Sequence, residues 1–344
     1  MMNTKMVYVI TSSLNLRCLE LFVLFVSYLA IYSRKLKQQG LNLLFYRVKV
    51  SIKLSMLKTI CCDTLQRYKS ITVQDIDINN QGKIPTHIYV LWLQGIDQAP
   101  EIVKTCIMQL QLLDNYTIEI LDQDTINSLS LSPIFFEKYQ KGLISRTHLS
   151  DIVRLFLLSR KGGIWCDSTL LVYGFPKEMS EKSFYTVRRF IKEHKEKYNP
   201  AIVETKDGSL APWTAFFIAS SANNIVTSFA YDMLVEYYTK RNEQMDYFLI
   251  DMVFRLGYDR IPLVREQIDA ISINNNGHVH DLFPRLNDHF DHEVWNVLCA
   301  GSTANMFKLS WKQFKPIGKD TFWEVIKNNI LNDGEDSYNC HSDL

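Results

Sequence analysis

A chain of 344 residues with 47% hydrophobic and 22% charged residues can bury one sizeable core, which argues against disorder as its default state. Its formal net charge of +1 argues neither for nucleic-acid binding nor against it, and nucleic acid is not among the expected partners. Seven cysteines without a CxxC pair speak against a zinc site or a disulfide framework and fit a reducing cytoplasm.

The first 75 or so residues read as helical and basic. Cys18 to Tyr32 is apolar, yet it contains Glu20, follows Arg17 and is short for a membrane span, which needs about 20 residues. From 33 to 62 there is no acid, while Arg34, Lys35, Lys37, Arg47, Lys49, Lys53 and Lys58 are basic. Such a run beside an apolar segment is drawn to anionic headgroups by about 1 kcal/mol per basic residue near the surface. Three readings stand for Cys18 to Tyr32: a helix lying on a membrane, a core-packed helix with a solvated basic neighbour, and a true span. No small-residue cleavage site marks a signal peptide.

Asp75 to Gly82 reads as a linker. The expected organisation is a basic helical region over 1–78 with peripheral membrane contact, one α/β domain over 79–330, and a frayed polar tail over 331–344. Thr86 to Leu93 is rich in β-formers and predicts a first strand. Pro100 opens a helix to Leu112, and Tyr116 to Leu121 predicts a second strand. Asp122 to Asp124 falls in a loop, and helices are expected over Pro133 to Lys141 and Leu149 to Arg160. The alternation predicts a mostly parallel sheet. After Leu170 to Tyr173 come expected strands at Phe184 to Arg188 and Trp213 to Ala219, then helices at Ile225 to Tyr238 and Tyr247 to Leu256.

The stretch from His148 to Thr169 carries the most chemistry. Asp151 and Arg154 are three apart and share one face of the Leu149 helix. Gly162-Gly163 ends that helix, Ile164-Trp165-Cys166 reads as a buried strand, and Asp167 falls at its end. That position, in an open α/β sheet, is where ligands bind, and a carboxylate there can meet a divalent cation carrying a phosphorylated substrate. His278 and His280, with Asp281, have the i, i+2 spacing of a strand metal pair, but Asn274-Asn275-Asn276-Gly277 predicts a mobile loop.

These residues resemble the nucleotide-sugar-binding core of GT-A glycosyltransferases, and most closely the capsular polysaccharide synthesis glycosyltransferases. Lys83 to Gly95 is similar to that family's opening strand, Ala99 to Val103 to the helix after it, and Asp246 to Asp251 and Phe307 to Lys312 to its later motifs. The resemblance covers roughly residues 80 to 315. It implies a GT-A-like α/β sandwich with a mostly parallel central sheet and an N-terminal helical extension. The implied enzyme is a retaining glycosyltransferase moving a hexose from a nucleotide sugar, a UDP-sugar, to a capsular polysaccharide, an exopolysaccharide or a lipid-linked precursor. It would act in the cytoplasm, at the inner face of the membrane.

The resemblance also implies roles. Trp92, with Val90 on the same strand, stands beside the nucleotide; Asp151 and Arg154 meet donor hydroxyls or phosphate; Asp251 meets donor or acceptor hydroxyls. Lys308 would reach the diphosphate from a late loop that closes with Ser310 and Trp311. Asp167, with Thr169, would hold Mn²⁺ or Mg²⁺. Here the chain departs from the DXD pattern, since a neutral hydroxyl replaces the second acid. Thr169 keeps open a second reading, a non-catalytic GT-A-shaped subunit that binds nucleotide or scaffolds a membrane assembly.

Overall fold

A computed structural model describes residues 16–35, 39–72, 82–188, 213–273, 275–300, 305–312 and 314–331. The expected linker centre and C-terminal tail lie outside them. Three helices lead: α1 (Leu16–Lys35), α2 (Gln39–Ile60) and α3 (Cys62–Lys69). β1 (His87–Leu91), α4 (Glu101–Gln111) and β2 (Thr117–Leu121) follow, and the Asp122 loop proves to be a helix cap. The Asp122 carboxylate accepts from the Thr125 amide while the Thr125 hydroxyl accepts from the Asp122 amide, which starts α5 (Gln123–Ser128). Next come α6 (Pro133–Gln140), α7 (Arg146–Arg160), β3 (Gly163–Cys166), β4 (Leu170–Val172), β5 (Phe184–Thr186) and β6 (Phe217–Ser220). The chain continues through α8 (Ile225–Lys240), α9 (Leu249–Arg260), α10 (Pro262–Asp269), α11 (His292–Ala300), β7 (Met306–Lys308) and α12 (Phe322–Leu331).

The main sheet has five strands in the order β2-β1-β3-β6-β5. β1 pairs in parallel with both β2 and β3, while β6 runs antiparallel to β3 and β5, so four strands point one way. This is the mixed, mostly parallel α/β sheet that the sequence led one to expect. β4 and β7 form a separate antiparallel pair, with Leu170 opposite Lys308. Lys308 therefore sits on a strand, where a loop was expected.

The junction between α7 and β3 fixes the site. Ser145 caps α7 by accepting from the His148 amide, so the helix starts three residues earlier than its apolar pattern suggests. Gly162 ends it at φ +68, and a Cβ there would lie 2.5 Å from the Ala222 amide nitrogen. Gly163 has φ +111, and its Cβ would meet the His87 carbonyl oxygen at 2.6 Å. Only glycines let the chain turn here and press β3 between β1 and β6.

One hydrophobic cluster runs from Leu19 in α1 through the sheet to Ile330 in α12. The leading helices belong to it: Ile52, Leu57 and Cys61 have no solvent exposure. A buried ion pair, Lys53 Nζ to Asp246 at 2.5 Å, ties α2 to the segment before α9. Cys61, Cys106 and Cys166 are buried free thiols. The Asn275-Asn276 turn is also not the mobile loop expected. Both side chains are buried; Asn275 donates to Tyr185 and Thr186 and accepts from the Arg188 amide, and Asn276 donates to Met306.

Candidate functional site

Asp167 leaves the carboxyl end of β3 into a turn closed by the Leu170 amide on its carbonyl. Its own amide donates to Phe216, and Thr169 in the same turn accepts from the Leu309 amide. Side chains two apart on an extended segment share a face, so Trp165 points the same way and donates from Nε1 to Asp167 Oδ1 at 3.1 Å. The Arg154 guanidinium lies 4.9 Å from the Trp165 ring centroid. It reaches Asp151 Oδ1 through Nη1 and Asp167 Oδ1 through Nη2, each at 3.1 Å. On the other side Lys308 Nζ donates to Asp167 Oδ2 at 2.9 Å and to the Thr169 hydroxyl at 2.7 Å, above the Phe216 ring.

The structure thus gathers Asp151, Arg154, Asp167, Thr169 and Lys308. Asp151 and Arg154 are buried, at 6% and 4% exposure, so the alternative of a surface ion pair does not apply. Asp251, in the first turn of α9, accepts from Trp213 Nε1 at 3.2 Å, and its charge is felt by Asp151. Tyr247, 59% exposed, stands at the rim, with its hydroxyl pKa raised by burial and by the three acids Asp151, Asp167 and Asp251. At the same sheet edge Trp92 follows β1 and meets Trp311 edge to face at 5.7 Å. The Trp92 Nε1 is buried and has no acceptor among the described residues. Val90 is a correction: it is fully buried within β1, because its side chain alternates into the core, and it offers no surface to a nucleotide.

His278 and His280 do not converge. His278 Nδ1 bonds Asp281 at 2.8 Å, whereas His280 packs edge-on against Phe216.

Electrostatics separate the acids. Burial, partly offset by Arg154, pushes Asp151 up to about 7, and burial also raises Asp251 to about 6. For Asp167 burial works in the same direction, but Lys308 and Arg154 outweigh it and hold the carboxyl below its usual range. One acid is kept ionised and two stand near neutrality. Folding therefore raises the pKa of Asp151 and Asp251 from 3.8, and their favourable contribution is complete below about pH 4 and is lost as pH rises through 6 to 7. Asp251→Asn, which keeps an acceptor for Trp213, is expected to lose less stability between pH 5 and pH 8 than wild type, by on the order of 1 kcal/mol. Thermal melts across that range check it; parallel curves for the two proteins would refute the assignment.

Asp167 and Thr169 are the residues that would hold Mn²⁺ or Mg²⁺, ions that proteins bind through one or two carboxylates together with substrate phosphates and waters. Both Asp167 oxygens and the Thr169 hydroxyl already accept from cationic or N–H donors. The Lys308 ammonium bridges Asp167 and Thr169, the two residues expected to hold the ion.

The sequence matches the family model described as capsular polysaccharide synthesis protein over residues 34–326. The chain belongs to that family. The match begins before the expected domain boundary and takes in α2 and α3. Comparison with curated proteins finds no match. Among solved structures, one titled PaToxG Glycosyltransferase aligns with 64% of this chain and 84% of its own at 16% identity and a TM-score of 0.37, too distant a likeness to transfer residue roles. Membership of the family supports a glycosyltransferase role.

Trp165, Trp213, Phe216 and Tyr247 were not singled out from the sequence. The i, i+2 spacing to Asp167 signals Trp165; nothing local signals the others.

Proposed function

We propose that this protein is a retaining glycosyltransferase that moves a hexose from a UDP-sugar to a capsular polysaccharide or its lipid-linked precursor. The observation carrying this reading is one carboxylate, Asp167, held between Arg154 and Lys308 at the carboxyl edge of the sheet, with two acids of near-neutral pKa beside it. A leaving diphosphate gathers negative charge and needs cations, while an oxocarbenium-like sugar needs carboxylates. Both kinds of group stand here together. An ammonium has three N–H donors, and Lys308 uses two on Asp167 and Thr169, which leaves one for a phosphate oxygen.

Asp151 and Asp251 accept hydrogen bonds from donor-sugar hydroxyls and, by ionising near neutral pH, offset positive charge at the anomeric carbon. Trp92 and Trp311 supply aromatic faces for the base, and the Trp92 N–H supplies an unmatched donor. Retention is assigned to front-face attack. The acceptor hydroxyl forms its bond on the side from which the diphosphate departs, and its proton passes to the departing phosphate oxygen. Lys308 and Arg154 neutralise the diphosphate without a divalent ion.

Thermal melts with UDP, GDP and CDP, each with and without Mn²⁺, test the donor assignment. UDP is expected to raise the melting temperature by mass action, about 2.7 kcal/mol at a hundredfold excess over Kd, with no addition from Mn²⁺. Absence of a shift with every nucleotide would sink the reading.

A further inference from the structure

α1 has a face that the fold leaves uncovered. It turns Leu19, Val26 and Ala30 inward, each no more than 4% exposed. At 100° per residue the opposite side collects Leu21, Leu24, Phe25, Tyr28, Ile31 and Tyr32, which are 54–67% exposed. Six large apolar side chains in one stripe exceed the scattered hydrophobicity of an ordinary surface. In the sequence this helix begins with a basic residue, Arg17, and ends on Arg34 and Lys35, so its two ends are basic. Glu20, at its edge, is engaged by Arg241. The sequence just beyond is basic and free of acids to residue 62.

We infer that this face docks on an anionic lipid surface, with the helix lying in the membrane plane. No described helix is long and apolar enough to cross a membrane. Charge decides between lipid and a second copy of the chain. Two such helices meeting through their stripes, antiparallel or parallel, bring cationic ends onto cationic ends, whereas anionic headgroups complement both ends at once. The apolar stripe enters the boundary between headgroups and acyl chains, and the flanking cations stay with the headgroups.

Flotation of the full-length protein with phosphatidylcholine vesicles, alone or mixed with phosphatidylglycerol, tests this. The protein is expected to float with the mixed vesicles, less with phosphatidylcholine alone, and less again at high salt. A Leu24→Gln, Tyr28→Gln, Ile31→Gln variant is expected to bind at least about tenfold more weakly, with unchanged circular dichroism and donor hydrolysis. Leu24→Gln alone, at an exposed position, gives an intermediate loss and guards against misfolding of the triple variant. Three results would overturn the inference: wild type staying unbound with both vesicles, variants floating as well as wild type, or a concentration-dependent dimer that the substitutions abolish without any lipid binding. Docking is independent of the transfer chemistry, so a chain that floats yet never cleaves a donor would count against the proposed function alone.

Discussion

Asp167→Asn protein is expected to turn over a UDP-sugar at least about 100-fold more slowly than wild type, a loss typical of removing one preorganised electrostatic partner of the transition state. The exchange preserves size and leaves its one oxygen for Arg154 and Trp165, which puts the amide nitrogen, a donor, opposite the Lys308 ammonium. Lys308 then keeps only the Thr169 hydroxyl, and the cation meant for the diphosphate loses its orientation. Since the Asp167 side chain is 29% exposed, the fold should tolerate the change. Donor hydrolysis and transfer, measured beside circular dichroism, decide the matter. A near-normal rate in a folded variant would remove Asp167 from the mechanism.

Lys308→Met carries the second large effect. Methionine keeps an unbranched chain over Phe216 while deleting the charge, so folding should survive and turnover fall by at least about 100-fold. The companion measurement is the wild-type rate in excess chelator, expected to be unchanged, with added Mn²⁺ failing to rescue the variant. Wild-type activity abolished by chelator would restore the divalent ion and reduce Lys308 to a structural partner of Asp167.

The parts of this site that lie close in sequence were legible. Gly162-Gly163 stops a helix and Ile164-Trp165-Cys166 starts a buried strand, so the neighbourhood of Asp151, Arg154 and Asp167 follows from local rules. Burial was not legible, because an i, i+3 acid–arginine pair looks the same on a surface as it does in a core. Lys308 shows the other gap. Its register with Leu170 is set by strand pairing between segments far apart in the chain, and no local pattern marks Met306–Lys308 as a strand. Asn275 and Asn276 failed for a third reason: polar side chains that signal a loop can equally satisfy buried backbone groups, and here they do.

The Lys53 contact has a bearing on how this protein can be handled. Its ammonium also donates to the Met245 carbonyl, and Asp246 in turn presents its own carbonyl to His148 on α7. Trimming the chain at the segment between α3 and β1 to obtain a minimal catalytic fragment would remove that ammonium. A largely buried carboxylate, Asp246, would be left without its ammonium partner, next to Tyr247 at the rim of the candidate site. The amino-terminal helices thus brace the segment before α9, and shortened versions should retain them.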